Sequence, residues 1–388
     1  MRFKSGLKPP ASNLGPLGGT YPLYDPSMTF DYSRRIEALR QLMDRDGVDQ
    51  VLLSIGADLP YFTGYEAMPL ERLTMLVVGR ESEVVLVVPQ LEAPRVVPGT
   101  FAIRPWSETE DPMGIVGDLC KGAESIALGD QTWSVFLLGL QERLPNATFH
   151  SATPLTRNLR ACKDADEIAR LRAAAAGVDR VVQRLGEVQF RGRTERDLAR
   201  RVTAMTLEED HDQALFWIVA SGPNSASPHH EPGDRVIEDG DLVVVDFGGR
   251  HDGYCSDSTR TFSVGEPSAR QREVHDVVHR SQQAATAAVH PGISAAEVDR
   301  VARNVIDDAG YGERFIHRTG HGIGLEGHEH PYLVEGNQES LEPGMCFSIE
   351  PGIYLTGQFG VRIEDIVTVT ATGVEALNNS SRALKVVD

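Results

Sequence analysis

A two-domain chain of the α/β (α+β) class is what the amino-acid sequence predicts, and three observations predict it. At 388 residues the chain exceeds one ordinary core, and a 41% hydrophobic share supplies enough apolar side chains for two. Apolar runs of strand length are interspersed with stretches of helical 3.6-residue spacing. The character of the sequence changes near Lys163, where a long, charged, alanine-rich helical pattern begins. The expected division is an extended arm over residues 1–28, a smaller α/β domain over 29–158 and a larger domain over 159–388.

The arm is inferred from Pro9, Pro10, Pro16, Gly18, Gly19, Pro22 and Pro26, which break any hydrophobic period and suit a segment that packs against a second subunit. From Tyr32 the spacing of Ile36, Leu39, Leu42 and Met43 predicts a helix, and Val51–Ile55 reads as a strand. Leu73–Val78 and Val84–Val88, separated by a Gly-Arg-Glu-Ser turn, predict a hairpin. Asp164 and Asp166 open a helix carried by Ile168, Leu171, Ala174, Val178 and Val182. Thr194, with Glu195 and Asp197 in the turn after it, opens another. Strands alternating with helices are expected from there to the C-terminus.

Composition excludes several functions. Lys and Arg total 38 against 56 Asp and Glu, a formal charge of −18, so a nucleic-acid backbone would be repelled over most of the surface. No run of apolar residues is long enough to cross a bilayer, and the first residues lack the charged-then-apolar order of a secretion signal. Cys120, Cys162, Cys255 and Cys346 form no C-x-x-C pair and no dense framework, which fits reduced thiols. A cytoplasmic protein is the expectation.

One internal repeat carries the chemistry. Glu238-Asp-Gly-Asp-Leu-Val-Val-Val-Asp246-Phe-Gly aligns without gaps on Glu342-Pro-Gly-Met-Cys-Phe-Ser-Ile-Glu350-Pro-Gly, so Asp246 and Glu350 fall on the same slot. Each copy continues through a glycine-containing stretch to a second carboxylate, Asp257 or Glu364. Two matching hairpins facing each other across a pseudo-twofold axis would bring four carboxylates to one point. Such a group repels itself unless divalent cations neutralise it, and two ions supply that charge. His321, flanked by glycines in Gly320-His-Gly-Ile-Gly324, completes the donor set. A single acidic residue after a strand is usually a solvated turn residue; four in a duplicated frame with a histidine are not explained that way. Hard oxygens with one imidazole favour Mn²⁺, Co²⁺, Zn²⁺ or Fe²⁺. Gly322–Gly327 matches a dinucleotide fingerprint in form alone, since no apolar strand precedes it. P-loop, H-E-x-x-H and G-x-S-x-G patterns do not occur.

From about Lys163 to the end, the chain closely resembles the creatinase/prolidase/methionine aminopeptidase superfamily. The resemblance rests on Ser221-Gly-Pro-Asn-Ser-Ala-Ser-Pro-His229, Tyr254-Cys-Ser-Asp257-Ser-Thr-Arg-Thr-Phe, Gly320-His321-Gly-Ile-Gly-Leu-Glu-Gly-His328-Glu, Ser348-Ile-Glu350-Pro-Gly and Val361-Arg-Ile-Glu364-Asp. Leu59-Pro-Tyr-Phe-Thr-Gly64 resembles the family's smaller creatinase-type N-terminal domain. The resemblance implies a pita-bread catalytic fold and a two-metal peptidase acting on Xaa-Pro bonds. It further implies Asp246, Asp257, His321, Glu350 and Glu364 as metal ligands, with Asp257 and Glu364 bridging, Mn²⁺ as the expected ion, and a homodimer. Glu350 would pass a proton to the leaving nitrogen, while His229 and His328 would contact the substrate carbonyl and the tetrahedral intermediate.

His317, four residues before His321, is a candidate substrate contact, with an ordinary loop histidine as the alternative. Arg362, two residues before Glu364, would share its strand face and orient a carboxylate. Several prolidases carry a basic residue shortly after the His-Glu motif to hold the substrate carboxylate; here Tyr332 stands there, so its hydroxyl, Arg362 or an N-domain residue would take that role. Action on proline-containing dipeptides is therefore expected slightly ahead of aminopeptidase action on longer peptides. Creatinase-like hydrolysis and a silent binding protein are the rival classes, and an intact ligand set argues against both.

Overall fold

Asp31 accepts the amide of Arg34 and so opens helix α1 (Tyr32–Asp46), which Gly47 closes in the left-handed conformation. The structure, a computed structural model, describes residues 30–388, and the arm expected over residues 1–28 lies outside them. β1 (Gln50–Leu53), α2 (Asp58–Thr63), β2 (Met75–Gly79), β3 (Val85–Pro89), β4 (Ala102–Trp106), α3 (Pro112–Leu119), β5 (Ser125–Leu128), α4 (Ser134–Arg143), β6 (Thr148–Ser151) and α5 (Thr153–Ala161) follow. The strands form one sheet in the order β4-β3-β2-β1-β5-β6. β2 and β3 pair antiparallel as the expected hairpin, and the strand expected over residues 51–55 covers Gln50–Leu53. Both sheet faces are covered: Leu39, Val51 and Leu86 are buried on one side, Leu52, Val87 and Ile126 on the other.

Asp164 caps α6 (Ala165–Leu185) in a reciprocal box with Glu167, and Thr194 caps α7 (Glu195–Glu208). Then come β7 (Gln213–Ser221), β8 (Leu242–His251), β9 (Tyr254–Cys255) and β10 (Ser258–Val264). A second helix pair, α8 (Ala269–Ala288) and α9 (Ala295–Asp308), precedes β11 (Gly320–Gly322), β12 (Glu329–Leu333), β13 (Cys346–Ile349), β14 (Gly352–Leu355), β15 (Phe359–Arg362), β16 (Asp365–Val369), β17 (Val374–Ala376) and β18 (Lys385–Val387). One sheet runs β18-β10-β8-β7 with β9 on β8, the other β12-β11-β13-β16-β17.

The duplication seen in the repeat is thus a duplication of architecture: a helix pair, then three strands in the order β7-β8-β10 or β11-β13-β16. Two expectations are corrected. After α9 the described chain holds strands and one 3-10 turn, Gly312–Arg314, with no further α-helix, because each helix pair precedes the strands it covers. The paired strands are also not simple hairpins: between β8 and β10 the chain turns back as β9, and between β13 and β16 it forms the separate ribbon β14-β15.

Candidate metal centre

The register of the duplicated sheets brings the acidic residues together. Asp246 sits in the middle of β8, opposite Thr259 on β10, and Asp257 lies just before β10. In the other half Glu350 directly follows β13 and Glu364 directly precedes β16, and these two strands pair antiparallel. His321 projects from β11, held between β12 and β13. The glycines on either side of it permit that contact: a Cβ on Gly320 would strike the carbonyl of Ser348, and one on Gly322 the carbonyl of His330.

Oxygens of Asp246, Asp257 and Glu364 lie within 4.8 Å of one another, as do donor atoms of His321, Glu350 and Glu364, and of Asp257, His321 and His328. His321 Nε2 is 3.4 Å from Glu350 Oε1 and 3.7 Å from Asp257 Oδ2. Its Nδ1 is 3.1 Å from the carbonyl of Gly322, which can only accept, so Nδ1 carries the proton and Nε2 presents a lone pair. Burial, then the neighbouring His328, push the His321 pKa down to about 3, so the ring is neutral as a ligand must be.

The carboxylates are strained electrostatically. Burial, followed by repulsion from Glu364, Asp246 and Glu350, holds the Asp257 carboxyl well above its ordinary range. Glu364 is raised by burial and then by Glu350 and Asp246. Glu350 is pushed up to about 7, chiefly by burial, with Asp246 adding and Arg362 opposing. Asp246 Oδ1, Asp257 Oδ1 and Glu364 Oε1 are buried with no hydrogen-bond partner. Unpaired oxygens on clustered buried carboxyls call for cations, and the donor set fits divalent metal ions.

A second layer of groups holds these side chains. Arg362 donates to Asp246 Oδ2 at 2.5 Å, to Thr259 Oγ1 at 3.1 Å and to Tyr354 Oη at 2.8 Å. Thr259 Oγ1 donates to Glu364 Oε2 at 2.7 Å. Arg260 donates to the Glu364 carbonyl at 2.6 Å and to Asp365 Oδ1 at 2.7 Å, fixing the backbone at the ligand position. Arg362 was expected to share a strand face with Glu364 and to orient a carboxylate; the strand ends at Arg362, so the shared face is absent, and the carboxylate its guanidinium meets is that of Asp246.

Asp246, Asp257, His321, Glu350, Glu364 and Arg362 line a cavity of about 610 Å³, together with His229, His317, His328, Arg318 and the apolar wall Phe216, Ile218 and Pro228. His229 and His328 stand exposed. His317 forms part of the wall with both nitrogens engaged, Nδ1 2.7 Å from the carbonyl of Arg318 and Nε2 2.8 Å from Tyr354 Oη. Tyr332 is not among the lining residues; its ring lies 4.4 Å from the Arg318 guanidinium. The residues that sequence reasoning missed are Arg318, Thr259, Arg260 and Tyr354. Arg318 carried a signal in its place between His317 and His321, and Thr259 and Arg260 in theirs within the motif around Asp257; Tyr354 carried none.

Residues 169–371 match metallopeptidase family M24, and residues 35–162 match the creatinase/prolidase N-terminal domain. The chain belongs to metallopeptidase family M24. Its duplicated C-terminal half is the pita-bread fold of that family, preceded by the creatinase-type domain. This M24 chain is 36% identical to the Xaa-Pro dipeptidase of Lactobacillus helveticus over 365 residues, which is 91% of this chain and 98% of that one. It superposes on the crystal structure of dipeptidase PepE from Mycobacterium ulcerans with a TM-score of 0.87 at 41% identity, covering 93% of this chain and all 100% of the other. The recombinant prolidase from Thermococcus sibiricus gives a TM-score of 0.88 at 39% identity, covering 92% and 99%.

Proposed function

We propose that this M24 metallopeptidase is a cytoplasmic, homodimeric Xaa-Pro dipeptidase holding two divalent ions per subunit, with Mn²⁺ as the working ion. The three buried carboxylate oxygens without partners, on side chains that line the cavity together with His321 and its Nε2 lone pair, carry this reading. Asp246, Asp257, His321, Glu350 and Glu364 would hold the ions in it. Co²⁺, Zn²⁺ and Fe²⁺ accept the same oxygen-rich donor set. Bound there, the ions supply an acidified water and take up charge on the scissile carbonyl oxygen.

The chain's own groups do the rest. Glu350 accepts a proton from the attacking water and delivers it to the proline nitrogen. His328 Nδ1 faces the Arg318 Nη2 at 3.3 Å, which can only donate, so the His328 proton is on Nε2. That N–H and the His229 ring contact the carbonyl as it becomes tetrahedral. Phe216 and Ile218 offer an apolar surface to the proline ring.

Peptide length is decided by charge. Arg362, one of the groups expected to take a substrate carboxylate, is committed to Asp246. Arg318 lines the cavity and makes no ion pair with an acidic residue among those described, which supports a C-terminal carboxylate as its partner and a dipeptide as substrate. The alternative is an Xaa-Pro aminopeptidase. Hydrolysis of Ala-Pro against Ala-Pro-Ala after loading with Mn²⁺, Co²⁺ or Zn²⁺ separates the two. Asp257→Ala and Glu364→Ala should each lose metal and turnover while staying folded; normal metal content with full activity in either would overturn the ligand assignment.

A further inference from the structure

We propose that Glu195, which lies outside the cavity, is the positioning residue for His229. Its buried carboxylate gathers the loop on both sides of that histidine onto the first turn of α7. The inference rests on the reading that His229 contacts the reacting carbonyl.

The loop between β7 and β8 carries His229 with no regular structure beyond one 3-10 turn, Gly222–Ala226, and an isolated β-bridge from Val236 to Thr194. Among the described residues the His229 ring makes no hydrogen bond or ion pair, so its position depends on the backbone beneath it. Glu195 is fully buried, and five donors converge on its two oxygens. Oε1 accepts from Ser221 N at 2.8 Å, Ser221 Oγ at 2.7 Å and Asn224 Nδ2 at 3.0 Å. Oε2 accepts from His230 Nε2 at 2.8 Å and Gly233 N at 3.2 Å. Residues 221 and 224 precede His229, and residues 230 and 233 follow it, so the carboxylate ties both limbs of the loop at one point. The helix start adds two backbone bonds, Glu195 N to the Arg235 carbonyl at 3.1 Å and Arg196 N to that of Gly233 at 3.0 Å.

The geometry needs a carboxylate. All five partners donate, and an ionised carboxylate is the side chain that accepts on both ends and donates on neither. Charge-assisted bonds of this kind are about twice as strong as neutral ones. The far side is reinforced: Arg235 donates to Ser221 Oγ at 2.7 Å and forks onto Asp241 at 2.6 and 3.0 Å. His230 therefore has a structural task, distinct from that of its neighbour His229.

A double-mutant cycle tests this in the manganese-loaded full-length enzyme, on Ala-Pro or, if the longer peptide is the substrate, Ala-Pro-Ala. Glu195→Gln keeps the shape but turns an amide N–H₂ toward donors. It should lower kcat by about 10- to 100-fold, the effect of misplacing a catalytic group by about an ångström, with KM and metal content unchanged. In a His229→Ala background the same change should cost nothing further, because the residue it positions is gone. Asn224→Ala, which leaves four donors in place, guards against simple misfolding of the first variant and should show a smaller kcat loss that also vanishes with His229→Ala. Equal losses in both backgrounds, or an unaltered kcat in Glu195→Gln, would overturn the proposal. An unaltered kcat in His229→Ala alone would instead remove the reading of His229 on which it rests.

Discussion

The two ring nitrogens of His321 are told apart by one backbone carbonyl, that of Gly322, and His317 is bound in the same way on both sides by Arg318 and Tyr354. Among the described residues His229 has no such partner, and its proposed contact with the substrate carbonyl is open to test. His229→Ala should keep both metal ions and slow turnover by about 100-fold or more, within the usual range for a positioned proton donor, and metal analysis with kcat measurement checks it. Arg318→Met should weaken kcat/KM for Ala-Pro by about 10- to 100-fold, the worth of a hydrogen bond to a charged group, and weaken it less for the amide of that dipeptide, which loses only the bond that Arg318 gives to His328 Nδ1. Equal losses on the free acid and the amide would remove Arg318 from carboxylate recognition. Glu195 gives a pH signature. Burial alone would raise its pKa, but the bonds from Ser221, His230 and Asn224 outweigh it and leave it lowered. A lowered carboxyl contributes stability that is present above the unfolded value of about 4.3 and lost as pH falls through the folded value. The stability gap between wild type and Glu195→Gln should then be full at pH 7 and shrink in acid, as urea midpoints at both pH values would read.

Between elements, the segment from β11 to β12 carries His328 and is clamped to the N-terminal domain. Arg160, near the end of α5, reaches Asp58 in the first turn of α2 at 2.9 Å, Glu326 at 2.5 Å and Glu329. Lys163 adds a bond to Glu329 at 2.5 Å, and all but Glu326 of these groups are largely shielded from water. Breaking one partner out of such a buried set costs about 3–5 kcal/mol, because the remaining charge is stranded. Arg160→Ala should lower the urea midpoint and speed hydrogen exchange over residues 324–329, with kcat falling alongside; unchanged exchange there would show that the clamp does not hold the His328 segment. Three helix starts were legible at this scale because caps and spacing are local: the apolar period from Tyr32, Asp164 with Asp166, and Thr194 with Asp197 mark them in sequence as they do in space. The excursions β9 and β14-β15 were not legible, since short strands between paired strands differ from ordinary turns only in which backbone groups they bond.

At the level of the whole molecule, five donors from two halves of a duplicated domain meet at one cavity, and among the described residues the cations that oppose their charge are Arg362, paired with Asp246, and Arg318, which acts on Glu350, while Thr259 and Ser348 add neutral hydrogen bonds. Removing metal with a chelator should therefore lower the melting temperature, and Mn²⁺ should restore it. Ions at a hundred times their Kd stabilise a site by about 2.7 kcal/mol. A melting temperature indifferent to chelator and metal would remove the ions from this site.

The sequence by itself determined the class of fold, three of the helix starts, the duplication and the five residues that converge, because each is written in local chemistry or in a spacing repeated within one chain. Tertiary structure decided what those residues are held by. Arg362 points to Asp246 across 116 positions, Arg160 joins two domains, and Glu195 gathers a loop that begins 26 residues after it. Strand register and domain packing set such long-range partners, and no local pattern of side chains encodes them.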